Sequence, residues 1–337
     1  MTCRLPGATR WMGAVLIGTA CGLLAVPAAA QAPEGWTPPR TADGKVDLQG
    51  IWANNRATPM QRPEQLGNKA TLSDEELAEL TQLIAEFRDS EQAGDLLGDR
   101  LIQQALGNST FQDFDAETGN YNAFWLVDRQ LDNRTSLIID PPNGRRPALT
   151  EAARTRARER AAARGDRGPS DGPEDRTLGD RCLHFSQPNM GSGYNSYFQL
   201  FQTPTQVTII QEMGHLVRNI PLDGRPHLGD QIPQWGGNAR GRWEGDTLVV
   251  ETRNWRNGFS GGSSNMVLTE RFTRVGPRTL RQELTMTDPD TWESPWTVEL
   301  LLDESDQPIF EYACHEGNYA MEGILGGARY EEREAGQ

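Results

Sequence analysis

From Tyr197 to Cys314 the chain breaks into short segments rich in β-branched, aromatic and alternating apolar residues, each closed by a turn signal. The segments are Tyr197–Gln202, Gln206–Glu212, His215–Ile220, Thr247–Thr252, Met266–Arg274, Thr279–Thr287, Thr297–Leu302 and Ile309–Cys314. Between them stand Thr203-Pro204, Met213-Gly214, Glu244-Gly245, Gly276-Pro277, Asp288-Pro289 and the polar run Asp303–Pro308. No long helix separates these strands, and a parallel pair needs a crossover of about a dozen residues or more, so antiparallel pairing is predicted. The expected fold is mainly β: one antiparallel β-barrel of lipocalin-like type, with a β-sandwich as the alternative. The 35 Gly and 21 Pro suit such a turn-rich chain.

Upstream the pattern changes. Val46–Asn54 reads as a first strand. Ser73-x-x-Glu76 is a capping box opening an amphipathic helix, in which Leu77, Leu80, Ile84 and Phe87 recur at helical spacing. Weaker helical pattern continues to about Leu106, Asn108–Asn122 reads as loop, and Phe124–Val127 and Ser136–Ile139 read as short strands. Thr150 caps a second helix, Glu151–Arg164, built almost wholly of Ala, Arg and Glu and so largely solvated. The domain plan is therefore a lead-in at 31–45 and a single domain over 46–334, with a helical insertion at about 72–165 and a Gly/Pro/Asp/Arg-rich mobile loop at about 165–180.

Residues 1–30 have the three parts of a cleaved signal peptide: Arg4 and Arg10, an apolar run from Met12 to Val26, and an A-x-A site at Ala28–Ala30. The expectation is a periplasmic or secreted protein with no membrane span after cleavage. Of four Cys, Cys182 and Cys314 then remain, and in an oxidising compartment two cysteines most simply form one disulfide. The net charge of −14 disfavours nucleic acid and anionic lipid surfaces as partners.

The polar residues that could carry chemistry cluster around Gln206–His227, which holds two of the four His. If Met213-Gly214 is a two-residue hairpin turn, Glu212 and His215 face each other across the pair, and a carboxylate beside an imidazole makes a candidate general base. After Cys314 come His315 and Glu316, the candidate second proton donor, then Asn318 and Tyr319, all held close to the disulfide. Arg134, Arg218, Arg225 and Arg240 are candidate anion clamps, and His227 lies in the stiff turn Asp223-Gly224-Arg225-Pro226-His227. Trp235 beside a loop is a candidate stacking face for a ligand, although most tryptophans here are expected to plug the barrel. His215, His227 and His315 match no metal-ligand spacing, so neither a metal nor a cofactor is predicted. There is no nucleophile elbow, P-loop or dinucleotide-binding glycine pattern.

Gly50-Ile51-Trp52 on a first strand, followed by antiparallel strands, is similar to the opening of lipocalin-like (calycin) barrels. The stretches ADGKVDLQGIW, RTSLIIDPPNGRRPALT, IPLDGRPH, GRWEGDTLVVET, ERFTRV and EYACHEGNY resemble a family of exported bacterial proteins to which no reaction is assigned. The resemblance implies export and a barrel, and gives no residue a catalytic role. The chain is longer than an ordinary lipocalin, and its helical insertion departs from that pattern.

Two readings follow for a small-ligand pocket at the barrel mouth. One is a non-redox acid–base enzyme (a lyase, isomerase or hydrolase) acting on a small organic or saccharide substrate. The other is a non-catalytic periplasmic ligand-binding or carrier protein. A metal-dependent hydrolase stands behind both. The discriminator is whether Glu212, His215 and His315 meet in one concave pocket.

Overall fold

The computed structural model describes residues 32–88 and 129–336. The segments expected as a signal peptide (1–30), weak helix (89 to Leu106), loop (Asn108–Asn122) and strand (Phe124–Val127) lie outside the described residues.

Ten strands form one sheet in which every pair is antiparallel. They are β1 (Gly50–Ala53), β2 (Ile138–Asp140), β3 (Tyr197–Gln202), β4 (Gln206–Gln211), β5 (Val217–Pro221), β6 (Asn238–Glu244), β7 (Thr247–Arg253), β8 (Val267–Gly276), β9 (Thr279–Thr287) and β10 (Trp296–Ser305). The order is β5-β4-β3-β1-β10-β9-β8-β7-β6, with β2 added on β10. The ladder is an open path: among the described residues no strand hydrogen bonds join its two ends, β5 and β6. The ends nevertheless pack together, since a Cβ on Gly241 of β6 would stand 2.6 Å from Leu222 and 2.9 Å from Ile220 of β5.

The pleat explains the core. Alternate residues of β8, β9 and β10 are buried, so Leu268 and Phe272, Leu280 and Leu284, and Val298, Leu300 and Leu302 share one interior with Trp52, Leu200, Val207, Ile209, Ile220, Leu248 and Val250. Polar residues fall on the same inward parity and find one another. Glu270 of β8 accepts from Arg218 Nη1 at 2.9 Å and from Gln282 Nε2 at 3.0 Å, while Arg218 Nη2 donates to Thr252 Oγ1 at 2.6 Å. Glu270 is fully buried, so this pairing is what allows its charge inside.

The described residues include three α-helices. α1 (Asp74–Arg88) opens with the reciprocal box read from the sequence: Glu76 N–H donates to Ser73 Oγ at 3.2 Å and Ser73 N–H to Glu76 Oε2 at 2.8 Å. α2 (Glu151–Arg164) is capped by Thr150, which accepts from Ala153 N–H, and buries only Ala153. α3 (Tyr319–Ala335) follows Asn318 as its cap. Between α1 and α2 the chain returns to the sheet at β2, so the helical excursion is interrupted. No helix among the described residues is long and apolar enough to cross a membrane.

Three sequence expectations change. Asn238–Glu244, outside the predicted strands, forms the full seven-residue strand β6. Ile309–Cys314 is a strap without ladder pairing, because its amides turn to side chains instead. The β4–β5 connection holds five residues, Glu212–Leu216, with Gln211 N–H donating to Leu216 O across its base. Gly214 at φ 71° and His215 at φ 51° close the turn, and His215 N–H donates to Glu212 O at 3.1 Å, so Glu212 and His215 meet across Met213-Gly214 but outside the paired strands.

Candidate functional site

A concavity of about 940 Å³ lies between the β4–β5 turn, the segment 179–197 and the strap 307–320. The disulfide Cys182–Cys314 joins two of these walls across 132 residues of sequence, with its Cα atoms 5.7 Å apart. Asn318 adds a polar tie, donating from Nδ2 to Asp180 O at 3.0 Å and to Cys182 Sγ at 3.3 Å. The walls are aromatic: Phe185, Tyr194, Tyr197, Phe310 and Tyr312. Phe185 meets Tyr312 edge to face, with ring centroids 5.3 Å apart. Among the described residues its acidic members are Asp180, Glu212 and Glu311, with no Lys or Arg.

Glu212 and His215 hold the strap in place. Glu212, 4% exposed, accepts from Asn195 Nδ2 at 2.9 Å and from the Phe310 backbone N–H at 3.0 Å. Two residues on, the Tyr312 N–H donates to His215 Nδ1 at 2.9 Å. In this contact Nδ1 is the acceptor. Alternate strap amides are thus received by a carboxylate and an imidazole, much as a neighbouring strand's carbonyls would receive them. The two side chains form no ion pair with each other.

The other candidate residues are dispersed. His315 and Glu316 lie exposed in the turn after Cys314, outside the groove wall, and Tyr319 is 77% exposed. Arg218 is committed to Glu270 and Thr252 in the interior. Arg134, also buried, holds Asp132 through Nε at 2.9 Å and Nη2 at 2.8 Å, and reaches Glu299 at 3.3 Å. Burial pushes the Glu299 carboxyl up, with Arg134 opposing. Arg225 pairs with Asp223 on the surface and draws that carboxyl down to about 2. His227 packs against β6 and β7, its Nδ1 2.8 Å from Asn238 O and its Nε2 3.3 Å from Glu251. Arg240 donates to the carbonyls of Arg225 at 3.1 Å and Pro226 at 2.9 Å, fixing that loop. Trp235, 41% exposed, lines a different cavity. Among the described residues no three His, Cys, Asp or Glu side chains gather in an arrangement fit for a metal.

The groove thus brings together Glu212, Asn318 and the disulfide, with His215 at its edge. Sequence reasoning missed its aromatic lining. The available signals were Tyr194-x-x-Tyr197, and Phe310 and Tyr312 two residues apart beside Cys314. No family model matches this chain, and no curated protein sequence is significantly similar to it.

Proposed function

We propose that this is a non-catalytic binding protein for a small organic ligand, taken up in the aromatic groove beside the Cys182–Cys314 bridge. The observation that carries it is the engagement of Glu212 and His215 with the backbone amides of Phe310 and Tyr312, in a groove of about 940 Å³ whose faces are aromatic. A general base must reach a substrate proton. Glu212 is nearly enclosed by its two donors, and His215 and His315 stand outside the wall. Aromatic walls with few polar groups are what small-ligand sites generally present.

In this reading the sheet serves as a barrel scaffold. The contact of Gly241 with Ile220 and Leu222, and the reach of Arg218 from β5 to Glu270 on β8, support closure by side-chain packing where the ladder stops. The disulfide supports an oxidising, exported setting.

A thermal-shift screen of small aromatic and amine compounds, followed by calorimetry on the hits, tests the proposal. Ligands should bind the wild type, lose about tenfold or more in affinity in Phe310→Ala, and be recovered chemically intact. Turnover of a hit that disappears in His215→Ala would overturn it in favour of the acid–base enzyme.

A further inference from the structure

The end of the sheet where β3, β6 and β8 begin carries two smaller concavities, of about 390 and 330 Å³. They share Ser186, Phe259 and Ser260, so they are two lobes of one surface. The first lobe is walled by Phe185, Trp235, Trp255 and Phe259, and the Trp255 and Phe259 rings lie 5.8 Å apart at 23°. The second is walled by Met60, Leu137 and Met190. Hydroxyl and amide side chains fill the gaps: Thr177, Gln187 and Asn257 in the first, Thr58, Asn189 and Ser192 in the second.

Among the described residues the lining of both lobes includes no Asp, Glu, Lys or Arg, in a chain that is 24% charged. Its one titratable member, His184, is pushed down by burial and so stays neutral. A formal charge entering these lobes would give up hydration and meet no opposite charge in the walls. Trp255 is 2% exposed, and its indole N–H has no partner among the described residues. Aromatic faces suit the C–H face of a ring, and amides and hydroxyls suit its O–H groups.

We propose that the two lobes form one binding site for a neutral polyhydroxylated ring ligand, a saccharide long enough to occupy both. This site goes beyond the groove described above, with which it shares only Gly179 and Phe185. Two cations touch its walls from outside: Arg146 Nη2 donates to Ser260 Oγ at 3.3 Å, and the Arg256 guanidinium lies 5.0 Å from the Trp235 ring centroid. An acidic sugar is therefore the sharpest competitor.

Calorimetry of the full chain with neutral tetrasaccharides of glucose, xylose and mannose, their disaccharides, and tetramers of a uronic acid and of glucosamine separates the alternatives. At least one neutral tetrasaccharide should bind about tenfold tighter than its disaccharide, and both charged tetramers about tenfold or more weaker than it. Trp235→Ala, at a half-exposed position that leaves the fold intact, should weaken the neutral tetramer about tenfold, and Phe310→Ala in the groove should leave it unchanged. Absence of neutral saccharide binding, equal or tighter binding of the uronate, or an inert Trp235→Ala overturns the site. Loss of saccharide binding in Phe310→Ala alone moves the ligand to the groove, which overturns this site while leaving the groove proposal standing.

Discussion

Replacing Glu212 by Ala should loosen the strap one amide at a time. The carboxylate receives the Phe310 N–H at 3.0 Å, and His215 receives the Tyr312 N–H at 2.9 Å. A hydrogen bond to a charged group contributes about 1.5–3 kcal/mol, and one between neutral groups about 0.5–1.5 kcal/mol. Each 1.4 kcal/mol is a factor of ten in the opening equilibrium. Amide exchange at Phe310 should therefore accelerate roughly 10- to 150-fold in Glu212→Ala, and exchange at Tyr312 roughly 2- to 12-fold in His215→Ala. The disulfide still anchors the strap in both variants, so global stability should fall by less than the local figures suggest. Residue-resolved hydrogen exchange by NMR is the assay. If neither amide loses protection in its own variant, the two side chains are not holding the strap, and their freedom to act as acid and base returns.

The same geometry makes four further predictions. Gly214→Ala places a Cβ 2.2 Å from Phe185 Cδ2 at a backbone φ of 71°, so overpacking and left-handed strain together should cost about 2–5 kcal/mol in urea unfolding. Arg218→Met leaves Glu270 charged and unpaired in the core and should cost about 3–5 kcal/mol, most of which the double variant with Glu270→Leu should recover. Cys182→Ser with Cys314→Ser opens a 132-residue loop, worth about 5 kcal/mol on the chain-entropy model, read as a lower denaturation midpoint. For Glu299, burial raises the folded-state pKa above its ordinary 4.5, so the folded state binds more protons there and stability falls as pH rises through that window; Glu299→Gln should remove this contribution, gaining on the wild type at about pH 7 relative to pH 4.5, and the opposite slope would contradict the sign.

Where a local pattern decides the structure, the sequence was readable. Ser73-x-x-Glu76 and Thr150 fixed two helix starts because a cap involves only residues three apart. Alternation in β8, β9 and β10 was readable because one face of each strand is buried. β6 hid because Asn238–Glu244 is an edge strand with little to bury, and its alternation is carried by Ala239, Gly241 and Trp243 among charges. α3 hid because Gly323, Gly326 and Gly327 dilute its apolar spacing and no residue in it is buried. The Cys182–Cys314 pairing was readable by count alone, whereas its role as a wall of the groove was not.

The candidate site shows why residue type and residue role separate. Glu212 and His215 are the same two groups that a general base would need, three positions apart in a turn. What decides their role is the strap from Phe310 to Tyr312, about a hundred residues downstream, which no local pattern connects to them. An unpaired strap must satisfy its amides with something, because buried or half-buried N–H groups left open are costly. The acceptors within reach are a carboxylate and an imidazole, and the disulfide at Cys314 brings the strap to them. Once the strap is docked, the groove presents its aromatic rings, with Glu212 held behind them, and a ligand meets chiefly those rings. The same constraint runs in reverse: a sequence with Glu and His at these positions but no cysteine pair would leave both side chains free, and there the acid–base reading would be the stronger one.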